Sequence, residues 1–143
     1  MRLYDLIQDP EKRRAVVDDS QRVLESEVRT KGFIVKGAFK VVKSIKPGFI
    51  PMAIDNLIDD FSEQLDPHFE SWDQGGRNGT LQRHFQTHGT TIANDLLSVT
   101  DKRALTAHSN TVKKAYKKLR PAATKHITAA MPAMAEMVMR HIG

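Results

Sequence analysis

Apolar residues recur along most of this chain at intervals of three and four, the spacing that gathers side chains onto one face of an α-helix. The clearest run is Phe33 to Lys46. At 100° per residue Ile34, Val35, Ala38, Val41, Val42 and Ile45 share one sector, while Lys36, Lys40 and Lys43 lie opposite. This is an amphipathic helix with a lysine back. A strand is excluded, because a period of two would put Lys36, Ala38, Lys40 and Val42 on the same face. Pro47-Gly48 ends the run. Upstream, Asp9 can cap and Pro10 can open a helix reaching about Lys31, with Val16, Val17, Val23, Leu24 and Val28 on its apolar side and Gly32 placed to stop it. From Pro51, Ile54, Leu57, Ile58, Phe61 and Leu65 share a face, and Asp55, Asp59 and Glu63 form a row on its back.

Punctuation divides the remainder. Asp66-Pro67 predicts a short further helix carrying His68, Phe69 and Trp72, with both large rings serving packing. Gln74 to Gly79 holds the glycine cluster of a connecting loop. Thr80 can cap a helix through Leu81, Phe85, Ile92, Leu96 and Leu97, with Gly89 its weak point, and Val99-Thr100-Asp101 opens another. From Asn110, Val112, Ala115, Tyr116 and Leu119 take one side and Lys113, Lys114, Lys117, Lys118 and Arg120 cover the rest, until Pro121 forces a restart. Pro132 breaks or kinks the last, methionine-rich stretch. The predicted fold is an all-α, single-domain bundle over residues 1–143, with about six to eight helices, several short and Pro-initiated. Helical halves 1–74 and 80–143 are joined by the loop 75–79.

Length and composition agree with one ordinary globular domain: 143 residues, 40% apolar and 27% charged, which excludes a disordered or fibrous chain. With no cysteine, disulfides and thiolate chemistry are out. Acids enter the N-terminal stretch before any apolar core of signal-peptide length, and no window approaches a membrane span, so the expected home is the cytoplasm. The formal net charge of +5 conceals blocks. Residues 1–28 carry −2, 29–46 carry +6, 47–73 carry −7 and 74–143 carry +8. Because only Lys46 to Ile50 join the lysine run to the acidic run, the two are expected to form one hairpin. Ile34, Val41, Val42 and Ile45 would then meet Ile54, Leu57, Ile58 and Phe61, with the two charged rows balancing each other. On that expectation the intact protein ignores anionic vesicles at physiological salt.

Several stretches taken together, Lys36 to Ile50, Leu96 to Ala104 and Lys114 to Arg120, with Leu65-Asp66-Pro67 and Ala129 to Pro132, resemble an uncharacterised family of small, all-helical actinobacterial proteins of unknown function. The resemblance runs from about Asp9 to the C-terminus, implies one structural unit, and brings no activity or site residues.

Candidate chemistry is sparse. His84 and His88 have the i, i+4 spacing of a shared metal, but no third ligand is evident nearby, so neither metal nor cofactor is expected. The acidic row lies opposite an apolar stripe and, exposed, makes poor general acids. Ser62 and Ser71 lack a nucleophile signature. Gly75 to Thr80 can present amides to a phosphate, yet it has no Lys-Ser/Thr after its last glycine and reads as a connector. Two basic elements remain. Lys113, Lys114, Lys117, Lys118 and Arg120 can neutralise nucleic-acid phosphates without reading sequence. The helix bearing Lys36, Lys40 and Lys43, helped by Phe33, Phe39, Phe49 and Ile50, can lie on an anionic membrane surface.

The expectation is thus a non-enzymatic binding or structural module with no assigned partner, acting on a protein or an anionic polymer. Weak nucleic-acid binding, peripheral membrane association and an unrecognised small-molecule enzyme are its alternatives. A loosely docked Phe33 helix would favour the membrane, a continuous positive surface nucleic acid, and a pocket of converging polar groups the enzyme.

Overall fold

The computed structural model describes residues 2–142, which form eight α-helices and no strand among those residues. The helices are α1 (Leu3–Leu6), α2 (Pro10–Arg29), α3 (Phe33–Lys43), α4 (Phe49–Gln74), α5 (Leu81–Thr87), α6 (Gly89–Thr106), α7 (Asn110–Ala129) and α8 (Met131–Ile142). The two expected caps act, Asp9 accepting from the Lys12 amide and Thr80 from that of Arg83, and Ser109, which the sequence pattern did not single out, accepts from the Val112 amide. At the start of α4, Gly48 takes φ +74°, a left-handed turn that a side chain would strain.

Two prolines expected to start helices lie inside them instead. Pro67 sits within α4 and Pro121 within α7. Each ring is exposed, and the carbonyl it leaves without a donor belongs to an exposed residue four back, Glu63 or Lys117, where water can take the bond. In α4 the apolar stripe Phe61, Leu65, Phe69 and Trp72 continues across the proline, so burial on the far side holds the helix together. Asp66, expected with Pro67 to start a helix, instead caps α1 from within α4. Its buried carboxylate accepts the amides of Leu3 and Tyr4, closing the N-terminus of α1 from a distance in sequence.

The second half also divides differently from expectation. The break comes at His88, and α6 runs unbroken from Gly89 through Val99-Thr100-Asp101 to Thr106. A methyl on Gly89 would stand 3.1 Å from Thr128 Cγ2, so this glycine lets the α5–α6 junction approach the α7–α8 junction closely. Pro132, in the first turn of α8, breaks the chain as expected. Gly32 does not terminate α2, which ends at Arg29 with Thr30 as its C-cap; it stands before α3 with an ordinary negative φ.

The main core draws on both halves of the chain. Leu3, Phe69 and Trp72 meet Leu81, Phe85, Ile92, Met131 and Ala135, the product of α4, α5, α6 and α8 packing together. Phe69 and Trp72 lie with ring centroids 5.9 Å apart, and the indole N–H donates to the Gly79 carbonyl at 3.3 Å. The packing role expected of both rings is met. A smaller cluster joins Ile7, Val17 and Ile58, with Val16 and Ile54 against it. That second cluster corrects the expected hairpin, since Ile54 and Ile58 of α4 face α2 and Ile7. Helix α3 lies chiefly against α7.

Candidate functional site

Helix α3 is weakly enclosed. Ala38 is its one buried residue, resting where α7 presents buried Ala115, and Val35, Phe39 and Val42 are half-buried. Two small residues at the contact let the helices approach, but they cover only a narrow stripe of the apolar sector. Phe33 is 96% exposed, Ile34 62% and Val41 49%. These three, with Gly37 and Ala38, form one wall of an open groove of about 480 Å³ whose other wall is Thr111, Lys114, Ala115 and Lys118. The membrane-favouring aromatics expected on this segment are thus reduced to one: Phe39 and Phe49 are half-buried and Ile50 is buried.

The two basic elements, separated by some seventy residues of chain, are therefore neighbours. Lys36 and Lys40 of α3 and Lys113, Lys114, Lys117 and Lys118 of α7 are exposed, and among the described residues none makes an ion pair within 4 Å. Lys43 is the exception, with its ammonium 3.7 Å from Glu25 of α2. Asp55 and Asp59 of the acidic row that was to balance α3 are engaged elsewhere. Arg13 of α2 bonds to Asp55 at 2.7 Å and to Asp59 at 2.9 Å, and Arg103 of α6 bonds to Asp60 at 2.8 Å. The Arg13 bond holds the Asp59 carboxyl below the usual range, against the opposing effect of burial.

Arg120 is spent differently from the lysines. Its Nε and Nη2 donate to Asp101 at 2.9 and 3.3 Å, and the Tyr116 hydroxyl donates to the same carboxylate. Tyr116 also lies 2.7 Å from the Thr100 hydroxyl. Burial, then the bond to Asp101, push the phenol above its ordinary value, while the Arg120 and Tyr116 bonds hold Asp101 low. This network lines a second groove, between α6 and α7, of about 820 Å³. At its edge Leu105, which no sequence pattern singled out, is 82% exposed. Exposed apolar residues therefore flank the lysine ridge of α7 on both sides.

The remaining candidates are accounted for by local contacts. His84 and His88 bring their rings within 4.7 Å, and burial, then the neighbouring His88, lower the His84 pKa. No group of three ligating side chains forms among the described residues. His68 lies 2.6 Å from Asp95, and Asp19 holds both Arg140 and His141, tying α2 to α8. In the glycine loop, the amides of Gly75, Gly76 and Arg77 donate to Ser71, Asp73 and Trp72 carbonyls. They finish α4 rather than point at an anion. Ser62 is buried and Ser71 exposed. No described helix is long and apolar enough to cross a membrane.

The fold and this surface define an all-α bundle with a basic, apolar face on α3 and α7. Residues 3–142 match the family of unknown function DUF6918, and the chain belongs to that family. No curated protein and no solved structure matches it.

Proposed function

We propose that this chain is a binding module, not an enzyme, and that its α3–α7 face docks peripherally on anionic membrane surfaces. The cytoplasm and an actinobacterial source belong to the same proposal. One observation carries it: Phe33, Ile34 and Val41 stand open beside Lys114 and Lys118, which make no ion pair within 4 Å among the described residues. Burying an exposed Phe or Ile side chain is worth roughly 1.5–3 kcal/mol, and each lysine near an anionic leaflet about 1 kcal/mol. The two contributions are comparable, so a surface having both discriminates a membrane from a polyanion. Nucleic acid would use the lysines and leave the apolar groups wet, and its affinity would be almost wholly salt-dependent. A membrane would use both.

Sedimentation with anionic and neutral vesicles, and with duplex DNA, at low and physiological salt tests this. The expected result is binding to anionic vesicles that weakens with salt yet survives at physiological strength, and that falls on Phe33→Ser with Ile34→Ser. Binding to DNA equal to that on vesicles and untouched by those two substitutions, or no vesicle binding even at low salt, overturns the proposal.

A further inference from the structure

The two flanks of α7 are not equivalent. On the α3 side Lys114 and Lys118 border an apolar groove, whereas on the α6 side Lys113 and Lys117 border one that also contains a fixed guanidinium. Lys113, Lys117 and Arg120 recur at i, i+4 and i+7, so three cations line one side of a single groove. Asp101 opposes them from α6, but it is committed to Arg120 and Tyr116. Its two acceptor oxygens hold the Arg120 fork in place, leaving Nη1 with no protein partner among the described residues. Three bases and one acid leave an excess of two positive charges. Alongside them are an apolar edge, Leu105, and the phenol ring of Tyr116.

We infer that the α6–α7 groove takes the phosphomonoester headgroup of a lipid, Lys113, Lys117 and Arg120 holding the phosphate while Leu105 enters the acyl region beside it. The inference rests on the membrane reading of the adjoining face. A terminal phosphate carries a charge between one and two and three free oxygens, which suits a groove with two uncompensated cations and donors arranged along a helix. A phosphodiester headgroup carries one charge and fewer exposed oxygens, and gains less. Leu105 supplies the reason for a lipid rather than free phosphate, since an exposed leucine on the rim contributes nothing to a soluble anion.

The test compares the full chain on vesicles of phosphatidylcholine with phosphatidic acid, and of phosphatidylcholine with phosphatidylserine, at matched surface charge. The expected preference for phosphatidic acid is roughly fivefold, the worth of an added charge-assisted contact. Lys113→Gln with Lys117→Gln removes that preference. Lys114→Gln with Lys118→Gln, on the opposite flank, weakens both compositions alike and keeps the ratio. Inorganic phosphate competes weakly with the wild type and more effectively with Leu105→Ser, which loses affinity for the vesicle and none for the anion. Equal affinity for the two compositions, or a ratio lost equally in both lysine pairs, overturns the headgroup inference while leaving the membrane reading standing. Inorganic phosphate alone displacing the protein from phosphatidic acid overturns the lipid assignment in favour of a soluble anion. Absence of binding to either vesicle overturns both readings.

Discussion

Around Phe69, Trp72 and Phe85, α4, α5, α6 and α8 enclose a shared set of large apolar side chains, whereas along α3 the residues Phe33, Ile34 and Val41 stay open beside lysines that make no ion pair among the described residues. Both regions are built from helices with a well-formed apolar sector. They differ in what meets that sector. Rings and branched chains from several helices close over the first. The second meets Ala115 and a row of lysines, which leave Ile34 and Val41 uncovered. Folding stability explains the enclosed region and leaves the open one without a role in the core. A solvent-facing Phe and Ile contribute little to folding and favour association, so their placement among cations is where a partner surface would meet the molecule.

The comparison predicts opposite effects of substitution in the two regions. Phe85→Ala and Trp72→Ala should each cost about 3–5 kcal/mol, read from the urea midpoint, because each empties a fully enclosed site. A midpoint like that of the wild type for either would place its ring outside the core. Asp66→Ala should cost about 1–2 kcal/mol, since the amides of Leu3 and Tyr4 lose their acceptor. If Asp66→Ala leaves α1 docked, as judged by hydrogen exchange at Leu3 to Leu6, the distant cap is not what holds it.

A smaller effect should appear in acid at the α2–α8 contact. Burial pushes the Asp19 carboxyl up, but bonds from His141 and Arg140 outweigh it and hold the group below its ordinary 3.8. A lowered folded pKa means that the unfolded chain binds more protons, so this stabilisation is present above 3.8 and is lost as pH falls through the folded value. Asp19→Asn should therefore be less stable than wild type near neutrality, and the gap should close in acid. A gap independent of pH would contradict that. The smallest stability effects belong to the open face: Phe33→Ser with Ile34→Ser, and Lys114→Glu with Lys118→Glu, should each stay within about 0.5 kcal/mol of wild type. Vesicle affinity should nonetheless fall in both. A large destabilisation by the first pair would return α3 to the core.

Helix identity was legible from periodicity because burial in this bundle follows it: Phe61, Leu65, Phe69, Phe85 and Ile92 all face the main core. Helix partners were not. The short Lys46 to Ile50 connection suggested an α3–α4 hairpin, but Ile54 and Ile58 find Ile7, Val16 and Val17 instead, and the acids behind them find Arg13. Periodicity states that a helix has an apolar face and does not state what covers it. For the same reason Ile34 and Val41, in the same sector as Ala38, could not be told from core residues. The helix starts assigned to Pro67 and Pro121 failed because local propensity yielded to the continuing apolar stripe and to solvent-facing ring positions. The lysines were visible as two separate groups. Their adjacency was not, since no sequence signal pairs α3 with α7.

The most direct measurement of whether α3 enters a membrane uses Phe33→Trp. The native Trp72 is buried in the core, so any change in emission on adding vesicles reports the new ring. On anionic vesicles whose acyl chains carry bromine, the emission should shift to the blue and be quenched, and both changes should disappear with neutral lipid or with Lys36, Lys40, Lys114 and Lys118 changed to Glu. Emission that stays at its solvent-exposed wavelength and unquenched while the protein sediments with the vesicles would contradict insertion of the α3 face.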